Sequence, residues 1–283
     1  MKRTYSLGVL LLCLAVSSSA AYGQGNCTIK TIVGTYAFNS TGASTIVTAP
    51  PVDGFHWNAL HAPLAGAGVY TVKPDGTASG KYWFIAGGMY IGPPLNPIPL
   101  NATFTINPDC TGLMEYTFGA APMSEQVLVL DNGNEIRSVA AQTAAPTSTW
   151  ISVSRRVGGA CNQNKIAGTY VFSCKSLFIA DPTHTVAGTS LMRLSIAPDG
   201  NATGIFMGKF GPQVVPPFPV TGMFKLNPDC TAEGTLDFGI GQNLARGVFF
   251  NEGKEGYWLP LVNNPGAVPQ PYGYCDIKQI ANR

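Results

Sequence analysis

The chain has 283 residues, and its 17 basic and 15 acidic residues give a formal net charge of +2 at pH 7. Lys2 and Arg3 account for this excess, so the rest of the chain is formally neutral. Only 11% of the residues are charged, which leaves no electrostatic reason to bind nucleic acid or an anionic membrane surface. Nucleic acid is therefore not predicted as a partner.

Residues 1–23 have the pattern of a secretory signal peptide. Lys2 and Arg3 precede an apolar run at residues 9–16, and small residues follow at 17–21. The apolar run is too short to cross a bilayer, and no later stretch reaches the roughly 18–20 apolar residues of a membrane helix. We predict Sec-type export of a secreted or periplasmic protein with no membrane span.

The remainder of the chain contains an internal repeat. Residues 27–38 and 161–172 share the pattern Cys-x6-Gly-Thr-Tyr-x-Phe, and residues 107–111 return as 227–231 with the sequence Asn-Pro-Asp-Cys-Thr. From residue 97 onward the copies align without a gap at an offset of 120. The predicted division is a signal peptide at 1–23, repeat 1 at 24–156, a linker at 157–160 and repeat 2 at 161–283.

Short strands are predicted throughout both copies. In copy one, strands at 69–72 and 77–84 flank Pro-Asp-Gly, a third at 102–106 ends at Asn-Pro-Asp, and strands at 126–130 and 135–139 flank Asp-Asn-Gly. With 33 Gly and 22 Pro, no helix of useful length is predicted. Each copy supplies about seven or eight strands, and closure removes exposed edges. We predict an all-β fold of two tandem small antiparallel β-barrels, with a sandwich as the alternative.

Cysteine usage predicts three disulfides. Of the 7 cysteines, Cys13 lies in the signal segment, and an even number remains in a chain bound for an oxidising compartment. Repeat symmetry favours the pairs Cys27–Cys110 and Cys161–Cys230, which leaves Cys174–Cys275. A rival set is Cys110–Cys161, Cys230–Cys275 and Cys27–Cys174. The first set is preferred because it lets each copy fold alone.

The repeated motifs support a resemblance to known proteins. Cys-x6-Gly-Thr-Tyr-x-Phe, Asp-Gly-x-x-x-Gly and Asp-Cys-Thr resemble a loose group of exported bacterial proteins of unknown function. Their usual length is about that of one copy, and they look like calycin or allene-oxide-cyclase-like β-barrels. The resemblance implies a fold and supplies no catalytic residue.

Aromatic residues on the predicted strands are the candidate ligand-binding residues. If they point inward, they either fill a barrel of about eight strands or line a cavity in it. The candidates are Tyr36, Phe38, Trp83 and Phe104 in copy one, and Tyr170, Phe172, Phe206 and Phe224 in copy two.

Other chemically active residues have simpler explanations. Repeated aspartates in Pro-Asp-Gly and Asn-Pro-Asp are typical of turns. His56 and His61 with Asp53 form only a weak candidate metal site, since zinc requires a further ligand. No nucleophile motif and no phosphate-binding glycine pattern is present, so neither catalytic residues nor a cofactor are predicted.

Three functional hypotheses follow. The first is an exported, non-enzymatic protein that binds a small apolar ligand in one or both barrels. The second is a structural or surface-interaction protein with filled barrels, whose protein partner the sequence does not identify. The third is an isomerase of the allene-oxide-cyclase type, which requires a polar cluster in a cavity, for example around Glu115.

Overall fold

The computed structural model describes residues 26–44, 62–86, 89–90, 96–143, 148–159, 161–181, 184–239, 242–261 and 271–281. Short 3-10 helices lie at Ile29–Ile32 (η1), Asp131–Gly133 (η2), Gln163–Ile166 (η3) and Asn251–Gly253 (η4). The strands of the first half are β1 (Gly34–Ser44), β2 (Ala62–Val72), β3 (Thr77–Ala86), β4 (Met89–Tyr90), β5 (Ile98–Ile106), β6 (Thr111–Phe118), β7 (Ala121–Leu130), β8 (Glu135–Gln142) and β9 (Thr149–Arg156). Those of the second half are β10 (Gly168–Asp181), β11 (His184–Ile196), β12 (Asn201–Phe210), β13 (Gln213–Leu226), β14 (Thr231–Asp237), β15 (Gln242–Phe250), β16 (Glu255–Leu261) and β17 (Pro271–Ala281).

The strands form two closed eight-stranded antiparallel barrels, which confirms the predicted all-β fold and excludes the sandwich alternative. In barrel 1, the order β1-β2-β3-β5-β6-β7-β8-β9 returns to β1, and the short β4 pairs with β3. In barrel 2, strands β10 to β17 close in sequence order. No helix among the described residues is long and apolar enough to cross a membrane.

The repeated aspartates are used in turns. Thr77 donates its backbone N–H and its hydroxyl to Asp75, and Thr111 does the same to Asp109. These hydrogen bonds hold the pKa of both carboxyl groups below the usual value. The copy-two turns repeat the arrangement at Asp199 and Asp229. The turn interpretation therefore describes these carboxylates, and none of them lines the barrel 1 cavity described below.

One end of each barrel is closed by its N-terminal segment. The 3-10 helices η1 and η3 place Ile32 and Ile166 in the two cores with no exposed surface. Disulfides Cys27–Cys110 and Cys161–Cys230 tie these segments to the turns between β5 and β6 and between β13 and β14. The third disulfide is Cys174–Cys275, which joins β10 to β17 across the closure of barrel 2. These pairs are the set that the sequence analysis preferred.

The hairpin turn at η2 also belongs to the closed end of barrel 1. Asp131, Asn132 and Gly133 have consecutive positive φ angles of 49°, 52° and 84°. The carbonyl of Gly133 accepts the hydroxyl of Tyr36 at 2.6 Å and a guanidinium N–H of Arg156 at 2.9 Å. The strained turn therefore presents one carbonyl to two donors, the buried Tyr36 and the half-buried Arg156.

Gly133→Ala is expected to lower the free energy of unfolding by about 3 kcal/mol. The residue has φ +84°, and a Cβ there would lie 2.0 Å from the carbonyl oxygen of Thr31. The matched control is Gly119→Ala, where φ is +59° but nothing lies within 4 Å of the new methyl group, so the cost is about 1 kcal/mol. Urea unfolding of both variants tests this, and equal losses would show that the close approach to Thr31 is unimportant.

The two barrels pack side by side through an inter-barrel cluster of outward-facing apolar side chains. Its buried members are Ala37, Ala65, Ala67, Val69, Trp83 and Ile85 from barrel 1 and Val248, Phe250, Tyr257 and Leu259 from barrel 2. Arg155 lies at its edge, with Cζ 5.5 Å from the ring centroid of Phe250. Its guanidinium bridges Glu135 of barrel 1 at 3.4 Å and Glu255 of barrel 2 at 2.9 Å. The two glutamates occupy equivalent positions in the copies, and both serve the contact between them.

Candidate functional site

The interior of barrel 1 contains a cavity of about 210 Å³. Its walls are mostly apolar and aromatic, and the polar groups on them are hydroxyls and one carboxylate. The lining residues include Phe38, Tyr82, Phe84, Tyr116, Glu125 and Trp150. Thr143 and Ser148, at the end opposite η1, also contribute to the lining.

Aromatic rings form a continuous wall of this cavity. Tyr82 lies 6.4 Å from Phe38 and 6.5 Å from Phe84 between ring centroids, and Phe84 lies 6.4 Å from Phe118 in an edge-to-face arrangement. These side chains come from β1, β3 and β6, where alternate residues point inward. The wall presents both π faces and apolar edges to whatever occupies the space.

Glu125 is the only charged side chain among the described residues that line the cavity, and it is 3% exposed. The hydroxyl of Tyr116 donates to its Oε1 at 2.9 Å, and the indole N–H of Trp150 donates to the same oxygen at 2.8 Å. The hydroxyl of Ser138 donates to Oε2. Three neutral donors from β6, β8 and β9 thus hold one carboxylate from β7 in place.

The inward position of Glu125 follows from the alternation of β7. Met123, Val127 and Val129 are buried at the positions two residues before, two after and four after it, while Gln126 and Leu128 are exposed. Burial, and then the negative charge of Glu125, raise the pKa of Tyr116 and of Tyr82 far above the usual value. Both phenols therefore stay protonated over any physiological pH.

Serine hydroxyls from β1 and β9 provide a second polar strip in the cavity. Ser40 and Ser152 face each other across these strands, with their Oγ atoms 2.7 Å apart. Ser154, two residues further along β9, hydrogen-bonds Tyr70. Hydroxyl pairs satisfy one another without adding charge, so Glu125 remains the sole formal charge of the described lining.

The closed end of barrel 1 holds the basic side chain of Arg156. The guanidinium of Arg156 donates to the carbonyls of Val33, Thr31 and Gly133. It lies over the ring of Tyr36, with Cζ 5.1 Å from the ring centroid. Burial raises the pKa of Tyr36 to about 12, and the charge of Arg156 opposes the rise. Arg156 thus holds together the backbone segments of the closed end and is not among the described residues that line the cavity.

Barrel 2 places a large side chain where barrel 1 has its polar cluster. At the offset of 120, Glu125 corresponds to Ala245 and Ser138 to Trp258. Trp258 is 1% exposed, and its ring lies 4.8 Å from that of Phe224 and 6.3 Å from that of Phe172. Its ring fits because Met114 and Val127 of copy one are replaced by Gly234 and Gly247. A Cβ at Gly234 would lie 2.5 Å from the Trp258 ring.

The candidate aromatics of copy one have three different positions. Phe38 and Phe104 line the cavity, and Tyr36 is buried beside it at the closed end. The expectation for Trp83 was wrong, because Trp83 points out of the barrel into the inter-barrel cluster. Side chains alternate along β3, so its neighbours Tyr82 and Phe84 are the ones that face inward.

The candidate aromatics of copy two belong to its packed core. Tyr170, Phe172 and Phe224 are almost completely buried, and Tyr170 donates its hydroxyl to the carbonyl of Gly253. Phe206 is half-buried among other phenylalanines, 5.3 Å from Phe218 and 5.2 Å from Phe238 between ring centroids. These side chains pack against one another and against Trp258.

Glu115 and the weak candidate metal ligands are the remaining predicted site residues. Glu115, which the isomerase hypothesis used as its example, is exposed on β6, since Met114 and Tyr116 take the inward positions. His56, His61 and Asp53 lie outside the described residues. Within the part of the chain that the structure describes, no three His, Cys, Asp or Glu side chains are grouped as metal ligands.

The three disulfides indicate an extracytoplasmic protein, because such bonds persist in oxidising compartments. The predicted signal peptide lies outside the described residues.

Comparison with known proteins identifies no relative from which a function can be transferred. No protein-family model and no curated protein matches the chain. Among solved structures, a double mutant of Transferrin Binding Protein B from Haemophilus parasuis matches with a TM-score of 0.34 and 7% identity, over 87% of this chain and 75% of that one. A DUF3598-family protein of unknown function from Nostoc punctiforme matches with a TM-score of 0.28 and 9% identity, over 91% and 99% of the two chains. A putative AttH from Nitrosomonas europaea matches with a TM-score of 0.29 and 7% identity, over 87% and 92%. At such low TM-scores these similarities assign neither a family nor a function.

Proposed function

We propose that this is an exported binding protein that holds one small, largely apolar ligand inside barrel 1. The observation that carries the proposal is the cavity of about 210 Å³ with its aromatic and aliphatic walls. Binding pockets for small molecules are concave and mostly apolar, with a few polar groups that fix orientation. The cluster around Glu125 is such a group.

The contrast between the two copies supports a role for the space in barrel 1. Copy two fills the equivalent position with Trp258 and reaches a tightly packed core with the same strand order. A fold that can be filled so readily does not need an internal cavity for stability, since voids cost contacts. We infer that barrel 1 retains its cavity for an occupant and that barrel 2 has a structural role.

The two other hypotheses are weaker. A protein with filled barrels accounts for barrel 2 but leaves the cavity of barrel 1 without a purpose. The isomerase hypothesis requires a polar cluster in a cavity, and Glu125 with its three donors is one. All three groups donate to the carboxyl oxygens of Glu125, which makes it a polar anchor for a ligand and identifies no reaction.

Isothermal titration calorimetry with octylamine and with 1-octanol tests the proposal. Each compound has an eight-carbon chain and one polar end, and at least one of them is expected to bind with one molecule per chain. The variant Met114→Gly/Val127→Gly/Ser138→Trp copies the filled arrangement of barrel 2 into barrel 1. We expect it to lose this binding while its circular dichroism spectrum and melting temperature show a folded protein.

A second filling variant guards against misfolding of the triple variant. Met123→Trp places a large ring on the cavity wall near Leu64 and Trp150 and should also abolish binding. The control is Met207→Trp on the outer face of barrel 2, where Met207 is 39% exposed. Failure of both compounds to bind, or binding that survives both filling variants, would overturn the proposal.

A further inference from the structure

We propose that the ligand of barrel 1 is an organic cation, an amine with an apolar tail, and that Glu125 is its counter-ion. This inference rests on the proposed binding function and specifies the chemical class of the occupant. It combines two features of the cavity, a buried carboxylate for which the described lining holds no cationic partner, and a wall of aromatic rings around it.

Among the described residues, the cavity wall offers no counter-charge to Glu125. None of the described residues that line the cavity is Lys, Arg or His. Arg156 is committed to three carbonyls at the closed end, and Arg155 to Glu135 and Glu255 at the inter-barrel contact. A buried charge is costly unless it is paired, so a cationic ligand that enters the cavity supplies the missing partner.

The hydrogen bonds around Glu125 fit a carboxylate that accepts one more donor. The indole N–H of Trp150 can only donate, which assigns Oε1 as an acceptor. An ionised carboxyl group has about four lone-pair sites, and Tyr116, Trp150 and Ser138 use three. A ligand ammonium group donates hydrogen bonds and carries positive charge, so it suits the remaining site better than an alcohol or a carboxylate does.

The aromatic wall suits the same occupant. Tyr82 and Tyr116 line the cavity beside Glu125, and the negative charge of Glu125 contributes to the raised pKa of each phenol. Aromatic faces attract ammonium groups through the ring quadrupole, and this attraction strengthens where water is excluded. Phe84 and Phe118 extend the wall with purely apolar surface, on which a hydrocarbon tail can pack.

The second copy has lost the carboxylate and the space together. Ala245 stands in place of Glu125, Leu236 in place of Tyr116 and Trp258 in place of Ser138. If Glu125 only stabilised the barrel scaffold, its loss would not have to coincide with filling of the lumen. The coincidence is expected when carboxylate and cavity serve one ligand.

The test compares three compounds of equal chain length that differ in charge: octylamine, 1-octanol and octanoate. Titration calorimetry of the mature wild-type protein at pH 7.5 is expected to give at least tenfold tighter binding of octylamine than of 1-octanol, and no detectable binding of octanoate. Each stoichiometry should be one or zero per chain, because barrel 2 is filled.

Glu125→Gln keeps the shape of the side chain and removes its charge. We expect this variant to bind octylamine at least tenfold more weakly while its affinity for 1-octanol is retained or improved. The matched control is Glu115→Gln, which removes an exposed carboxylate from the outer face of the adjacent strand and should change neither affinity.

The outcomes separate this inference from the proposed function. Equal affinities for octylamine and 1-octanol in the wild type, or an unchanged preference in Glu125→Gln, would overturn the cation inference and leave an apolar binding site. Failure of both compounds to bind would overturn the binding function itself. If Glu125→Gln does not fold, the wild-type comparison of the three compounds still decides the question.

Discussion

Replacement of Trp258 by alanine is expected to lower the free energy of unfolding of barrel 2 by about 3–5 kcal/mol. Trp258 is 1% exposed and packs against Phe172 and Phe224 at the centre of the core. Neighbours cannot collapse far into the space, because Gly234 and Gly247 have no side chains with which to fill it. Urea denaturation followed by near-ultraviolet circular dichroism measures the loss.

The same substitution should open a second binding cavity. The walls of the new space are apolar and contain Ala245 where barrel 1 has Glu125. We therefore expect 1-octanol to bind there, and octylamine to bind the new space no more tightly than 1-octanol does. Calorimetry would then report two molecules of 1-octanol per chain in place of one. Met207→Ala, at a side chain that is 39% exposed, is the control and should cost less than about 1 kcal/mol. A small loss on Trp258→Ala would mean that Trp258 does not fill barrel 2.

The duplicated scaffold explains how one copy can carry a buried charge. Barrel 2 has a core of buried side chains around Trp258 and a disulfide across its closure. It covers the outer face of β1, β2 and β3 of barrel 1. Trp83 and Ile85 are thereby buried on the outside of the same strand whose inside lines the cavity. The inner side of this wall faces the cavity and has no core packed against it. We infer that contact with barrel 2 stabilises the wall from its outer side.

The fold was predictable because its determinants are local. Asp-Gly and Asn-Pro-Asp-Cys-Thr turns specify tight reversals, and each occurs at equivalent places in both copies. Between them, glycine and proline interrupt the segments often enough to disfavour helices. Eight such strands in antiparallel order close on themselves, so the repeat and the turns together determine the barrel.

The site was not predictable to the same degree, because strand phase decides which side chains face inward. Tyr82-Trp83-Phe84 is aromatic throughout, and composition alone does not show that Trp83 is the outward residue. Similarly, the sequence does not distinguish Glu115 from Glu125 until the alternation of buried and exposed residues along each strand is known. A shift of one residue exchanges the two faces of a strand.

A signal for Glu125 was nevertheless present in the sequence. It stands among Met123, Val127 and Val129 at a spacing of two, where a charged residue interrupts an apolar face. Alignment of the copies adds that this position is Ala245 in copy two. A charge on an inward face where the other copy has a small apolar residue is the sequence pattern that would have singled out Glu125 as a candidate.

The same comparison of the copies predicts where a fourth disulfide can form. Ser40 and Ser152 occupy the positions of Cys174 and Cys275, because each pair lies opposite one another where the first and last strands of a barrel meet. The serine Oγ atoms are 2.7 Å apart, and the residues are 112 positions apart in sequence. Ser40→Cys/Ser152→Cys is therefore expected to oxidise spontaneously and to stabilise barrel 1 by about 3 kcal/mol, since a crosslink over a long loop restricts the unfolded chain most.

The measurement is urea unfolding with and without reductant, together with thiol alkylation of the unfolded protein. The two single variants are the controls, and each should only lose the hydroxyl hydrogen bond, at a cost of about 1 kcal/mol. Free thiols in the double variant would show that β1 and β9 do not meet as β10 and β17 do, and closure of barrel 1 would then differ from that of barrel 2.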